Sequence, residues 1–127
     1  MISFNKRSQS NLKGQHAEQR ARQYLEQQGL LWRHSNYRCR MGEIDLIMVT
    51  PTGMLVFIEV RFRAQAGFGS AAESVTNSKQ KKLLKAASHY LMMHPHEGHE
   101  GVRFDVLALD GNKTRITWIK QAFEEVI

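Results

Sequence analysis

The sequence predicts an α/β domain built on a mixed, five-stranded sheet with helices packed on it. Three observations predict it. Five short runs rich in β-branched, aromatic and aliphatic residues read as strands. Two longer segments carry apolar residues at helical spacing. Their order is α-β-β-β-α-β-β, so the strand–helix–strand unit from Met54 to Leu109 can form a right-handed parallel crossover. The other neighbouring strands then pair antiparallel.

Residues 1–10 are polar and expected to be loose and flexible. Residues 11–28 read as a helix, with Ala17, Ala21, Tyr24 and Leu25 on one stripe and Gly29 as C-cap. Residues 30–37 read as a strand. Residues 43–50 and 54–63 form a hairpin around the turn residues Pro51, Thr52 and Gly53. Residues 64–75 are small, with Phe68 between Gly67 and Gly69. A second helix runs from Thr76 to Met93 and stops before Pro95. The loop at 94–101 is rich in His and Gly; Pro95 and Gly98 break its metal spacing, and it reads as solvated. A strand at 102–109, a turn at Asp110-Gly111-Asn112, a last strand from Thr114 to Ile119 and a short terminal helix complete the order. Trp32 and Trp118 fall in strands, as core or interface residues.

The 127 residues and 42% hydrophobic content fit one domain, 1–127, with a real core. The single cysteine, Cys39, excludes an intrachain disulfide framework and a multi-cysteine zinc site, and fits a reducing cytosol. Residues 1–11 have no apolar stretch of the secretory kind, and no run approaches the roughly 18 apolar residues of a membrane span. A cytoplasmic protein with no membrane partner is expected. The net charge of +6 and pI near 9.8 favour a polyanionic partner, most commonly nucleic acid.

The chemistry concentrates in the hairpin. With Thr50 facing Met54, counting places Asp45 opposite Glu59 and Glu43 opposite Arg61. Opposed residues hold their Cβ atoms about 4.5–5.5 Å apart, so two carboxylates there repel and require a cation. A metal ion or a basic side chain such as Arg61 or Arg63 would supply it. Alternation puts Val56, Ile58, Val60 and Phe62 on one face and Leu55, Phe57, Glu59, Arg61 and Arg63 on the other. It likewise separates Ile44, Leu46 and Met48 from Glu43, Asp45, Ile47 and Val49. Glu18, at the edge of the first helix's apolar stripe, would add a third carboxylate. Three such groups suit a hard ion such as Mg²⁺ or Mn²⁺, whereas a structural salt-bridge cluster needs none. Lys79, Lys81, Lys82 and Lys85 form a basic run on the second helix, either a solvated face or phosphate contacts. Arg38 and Arg40 extend that surface, and Phe68 is placed to stack on an unpaired base or to anchor its loop. Arg103 and Asp105 share a strand face, as a local ion pair or as support for the active face.

Glu18, Gly42-Glu43-Ile44-Asp45-Leu46-Ile47, Val56-Phe57-Ile58-Glu59-Val60-Arg61-Phe62-Arg63, Lys79 and Arg103-Phe104-Asp105-Val106 together resemble the YraN-like family of uncharacterised bacterial proteins. That family in turn resembles the restriction-endonuclease-like fold of Holliday-junction resolvases. The resemblance implies Asp45 and Glu59 as metal ligands, the Val60 carbonyl as a third oxygen and Glu18 acting through water. It implies Mg²⁺- or Mn²⁺-dependent cleavage of structured or branched nucleic acid, DNA more than RNA, and a homodimer would suit two-strand cutting. Where those nucleases carry lysine this chain has Arg61, which holds its proton. Either the ion alone generates the nucleophile, or Lys79 supplies the function, or the site binds without cutting. The catalytic candidates are therefore Glu18, Asp45, Glu59, Arg61 and Lys79. The nucleic-acid contacts expected are Arg38, Arg40, Arg63, Phe68, Lys79 and Lys82. The alternatives are a nucleic-acid-binding protein without the chemistry, and an assembly module with a structural charge cluster.

Overall fold

A computed structural model describes residues 6–63, 74–111 and 115–123, with side chains from His16 onward. Among the described residues, seven elements run in order: α1 (Lys6–Gln27), β1 (Leu31–Cys39), β2 (Gly42–Val49), β3 (Leu55–Arg63), α2 (Asn77–Met93), β4 (Val102–Asp110) and β5 (Arg115–Ile119). The strands form one sheet in the order β1-β2-β3-β4-β5. Only β3 and β4 run parallel; the other neighbours are antiparallel. This is the expected α/β architecture, a mixed five-stranded sheet flanked by two helices, consistent with a restriction-endonuclease-like fold.

The helices cover opposite faces. Ala17, Ala21 and Leu25 of α1 pack on Leu46, Met48, Val56, Ile58, Leu107 and Leu109. Leu83, Ala86, Ala87 and Tyr90 of α2 pack on Ile47, Val49, Leu55, Phe57, Phe104 and Val106. Both faces are buried, as a parallel crossover pair demands, and β3 and β4 accordingly read as near-continuous apolar runs. Thr76 caps α2 by accepting from the Lys79 N–H at 3.2 Å. At the end of α1, Gly29 adopts φ +100°, its N–H donating to the Glu26 carbonyl while that of Leu30 donates to Leu25. That is the Schellman arrangement, and Leu25 meets Leu30 in the core as the motif prefers.

Several expectations need correction. Helix α1 starts at Lys6, so residues 6–10 are helical rather than loose; Lys6, Arg7 and Gln9 are good helix formers without an apolar stripe to announce them. Residues 120–123 form a turn and bend, and the rest of the tail lies outside the described residues. Phe62 is 40% exposed, although alternation placed it in the core. Ile44 packs on the α2 side together with Ile47, while Leu46 packs on the α1 side. Strict alternation cannot do this, so β2 changes phase at Asp45.

Gly42, the first residue of β2, shows why a glycine starts this strand. A Cβ there would lie 2.6 Å from the Lys82 carbonyl oxygen, a backbone atom of α2. Gly42→Ala is expected to push β2 and α2 apart and to cost about 1–3 kcal/mol by urea denaturation. A variant as stable as its parent would mean that α2 can shift freely over the sheet.

Candidate functional site

The site forms where β2 and β3 part. The ladder keeps the expected register through Val49↔Leu55, Met48↔Val56, Ile47↔Phe57 and Leu46↔Ile58, and then stops. Beyond it the Val60 N–H donates to Asp45 Oδ2 at 2.8 Å, a side chain standing in for the strand carbonyl. The splay brings the Asp45 and Glu59 carboxyls into hydrogen-bond contact. Glu43, expected opposite Arg61, instead pairs with Arg38 of β1 at 3.3 Å.

Glu59 is 3% exposed. Among the described residues, its buried Oε2 has no hydrogen-bond partner. Two cations stand near it outside bonding geometry, Lys79 Nζ at 3.5 Å and Arg61 Nη1 at 4.0 Å. Burial, then the hydrogen bond and charge of Asp45, push its carboxyl up to about 9; Lys79 and Arg61 oppose this without prevailing. Glu59 therefore holds a proton at neutral pH, shared towards Asp45. A buried carboxyl oxygen without a partner is a rare feature, and it is an atom that a bound cation would satisfy.

Glu18 is half-buried on α1. Its carboxyl is also raised, by burial first and by Asp45 next, while a hydrogen bond from the Asn36 amide holds it down. Asn36 is the residue sequence reasoning missed. It sits at φ +53°, where the flanking pairs Ser35↔Leu46 and Tyr37↔Ile44 leave it level with Asp45. Asn36, Asp45 and Glu59 thus form a row across three strands. An asparagine amid strand residues was the available signal, because asparagine is poor in strands and tolerates the left-handed region. Among the described residues, no group of three or more His, Cys, Asp or Glu side chains converges as a metal cage. The donor set that fits a divalent ion is the Asp45–Glu59 pair, with Glu18 in electrostatic reach.

Beside the pair lies a cleft of about 390 Å³ lined by Arg38, Cys39, Arg40, Met41, Gly42, Glu43, Lys79 and Lys82. Four of the six expected nucleic-acid contacts meet there. Lys79 joins the cleft to Glu59. Arg63 lies elsewhere and grips Asp110 with two bonds of 2.7 and 3.0 Å. Phe68 falls outside the described residues. His94 of the histidine-rich loop stacks on Tyr90 with ring centres 4.0 Å apart. Trp118 donates to Asp105, which also takes the expected ion pair with Arg103. Among the described residues, no helix is long and apolar enough to cross a membrane.

The residues of this row and cleft lie within the part of the chain that known proteins share. Residues 17–109 match the uncharacterised protein family UPF0102. A UPF0102 protein of Legionella pneumophila is 46% identical over 112 residues, spanning 88% of this chain and 94% of that protein. One of Nitrosomonas europaea is 47% identical over 119 residues, covering 93% and 98%. One of Cupriavidus necator is 46% identical over 128 residues, covering 98% and 95%. With a match across most of its length and relatives of nearly the same extent, the chain belongs to the UPF0102 family, the YraN-like group that its hairpin motifs resemble.

Proposed function

We propose that this protein binds nucleic acid through the basic cleft and holds Mg²⁺ or Mn²⁺ at the adjacent Asp45–Glu59 pair, acting as a nuclease on structured or branched substrates. The observation that carries the reading is Glu59 Oε2, buried beside Asp45 and, among the described residues, without a hydrogen-bond partner. Asp45 and Glu59 would hold the ion, with the Val60 carbonyl as third oxygen and Glu18 assisting through water. Bound there, the ion supplies phosphate polarisation and a nucleophilic water. Lys79 supports the same reading, because its ammonium stands nearer to Glu59 than Arg61 does. A lysine can exchange its proton and an arginine in practice cannot, so Lys79 takes the role of the lysine that Arg61 replaces. Arg61 is left to neutralise phosphate charge. Two-strand cutting would need a second copy of the chain.

Mn²⁺ is expected to raise the Tm of the wild type and to leave that of Asp45→Ala unmoved. Equal shifts in both would remove Asp45 from the ligand set. With four cleft cations engaged, affinity for a DNA junction should fall roughly 100-fold between 50 and 200 mM salt. Asp45→Asn should abolish cleavage while leaving that affinity largely intact. A protein that binds the junction but never cuts it with either metal would be a binding module that keeps the nuclease architecture.

A further inference from the structure

A second pocket lies on the α1 side of the carboxylate row, and its chemistry differs from the basic cleft. It measures about 280 Å³ and is lined by Glu18, Gln19, Arg22, Ser35 and Asn36. One cation and one acid leave it with no net charge, so it does not suit a phosphate. Its amides and hydroxyl offer both donors and acceptors, which suits a planar polar group with mixed edges. At its margin stands Trp32, 39% exposed. Two lining residues hold the indole: its Nε1 donates to Ser35 Oγ at 2.8 Å, and the Arg22 guanidinium lies 4.2 Å from the ring centre. Glu26 steadies that guanidinium from the helix at 3.3 Å. An exposed aromatic ring fixed in place beside a polar pocket of no net charge is a combination by which proteins take an unpaired nucleobase, stacked on its face and bonded at its edge.

We infer that this pocket receives one unpaired base of the substrate, stacked on the Trp32–Arg22 pair and read by Asn36, Gln19 and Ser35, while the basic cleft holds the neighbouring phosphates. The inference rests on the nucleic-acid reading above and narrows it, because a fully paired duplex has no base to give. Glu18 lines the pocket and lies in reach of Asp45, so the captured base would flank the carboxylate pair.

The test uses the full chain in EDTA, so that nothing is cut. Binding is measured to two fluorescent probes of equal length and phosphate number: oligo-dT, and the same strand with abasic sites. Stacking of one base is worth about 1–3 kcal/mol, so oligo-dT should bind about 5- to 150-fold tighter than the abasic strand. Trp32→Ala should bring oligo-dT to the abasic affinity and leave the abasic affinity itself unchanged. Trp32→Phe should keep most of the preference. Equal affinity of the wild type for oligo-dT and the abasic strand would overturn the base pocket and leave phosphate binding standing. A base preference that survives Trp32→Ala would also overturn it. No binding to either probe would overturn the nucleic-acid reading and the pocket together.

Discussion

Glu59→Gln is expected to remove Mn²⁺ stabilisation while making the metal-free protein at pH 7 more stable, by up to about 3 kcal/mol. The asymmetry comes from the proton. Without a metal ion, Glu59 is buried and its carboxyl is raised to about 9, so at pH 7 it is the neutral acid. Glutamine copies that neutral acid in size, and it takes up no proton as the chain folds. It cannot supply the negative charge by which a carboxylate holds a hard divalent ion more tightly than a neutral amide does.

The same proton fixes the pH dependence. In the unfolded chain Glu59 titrates near 4.5, and in the folded protein near 9. Between these values the folded state keeps a proton that the unfolded state has lost. Raising the pH therefore favours unfolding, by at most about 1.4 kcal/mol per pH unit from this group. Its contribution is full below 4.5 and declines as pH rises through the window to about 9. Urea midpoints of the wild type should fall more steeply across neutral to alkaline pH than those of Glu59→Gln. A divalent ion must displace the same proton, so its affinity should rise about tenfold per pH unit near neutrality. Calorimetry in buffers of different ionisation enthalpy should register close to one proton released per Mn²⁺ bound. Mn²⁺ binding with no proton released would mean that Glu59 is not the ligand.

The hairpin was legible because its information is local. A three-residue turn fixes register by counting, and counting from Thr50 and Met54 correctly predicts the four paired positions from Val49 to Leu46. The stretch of β2 before Leu46 was not legible, because the strands separate there. Strand alternation assumes a continuous ladder, and the ladder ends one residue short of Asp45. Hence Ile44 changed sides and Glu43 found Arg38 rather than Arg61. The proximity of Asp45 and Glu59 survived, because a splay beginning one residue earlier does not carry them far apart. Asn36 was hidden for a different reason. Its local signal was a lone asparagine within a strand, and its hydrogen bond to Glu18 of α1 is made between elements that the β1 sequence does not bring together. Asp110 was read as turn chemistry, yet it is 4% exposed and holds Arg63. Turn propensity reports the local backbone and is blind to a cation arriving from the parallel strand beside it.

The largest loss of stability is expected at Asp105, on the opposite face of the sheet from Glu59. Asp105 is 1% exposed and accepts four hydrogen bonds. Arg103 supplies two, from Nε at 2.8 Å and Nη2 at 2.9 Å. Trp118 Nε1 on β5 supplies a third at 2.9 Å, and the Gln121 N–H a fourth at 3.0 Å. Gln121 sits at φ +53°, so that last bond holds a strained turn in place. Past this turn the Ala122 N–H reaches the Phe104 carbonyl, and Phe123 stacks on Phe104. Asp105→Ala strips the acceptor from all four donors and leaves Arg103 partly buried without its anion. Removing one partner of a buried pair costs about 3–5 kcal/mol, which for a domain of this size lowers Tm by roughly 10–25 °C. Asp105→Asn should recover little, because the new NH₂ meets a guanidinium that also donates. Arg103→Ala with Asp105→Ala should lose less than the two single variants added together. A fall of only a degree or two in Asp105→Ala would show that water replaces the carboxylate at no cost. The variant also decides between the two roles open to this ion pair. Because Asp105 lies with Leu107 and Leu109 on the α1 side, while Glu59 lies with Phe57 on the α2 side, a purely structural Asp105 predicts an undiminished Mn²⁺ shift in the folded variant. A lost shift would make Asp105 a positioning residue for the carboxylate pair, acting through the β3–β4 ladder that sets Ile58 beside it.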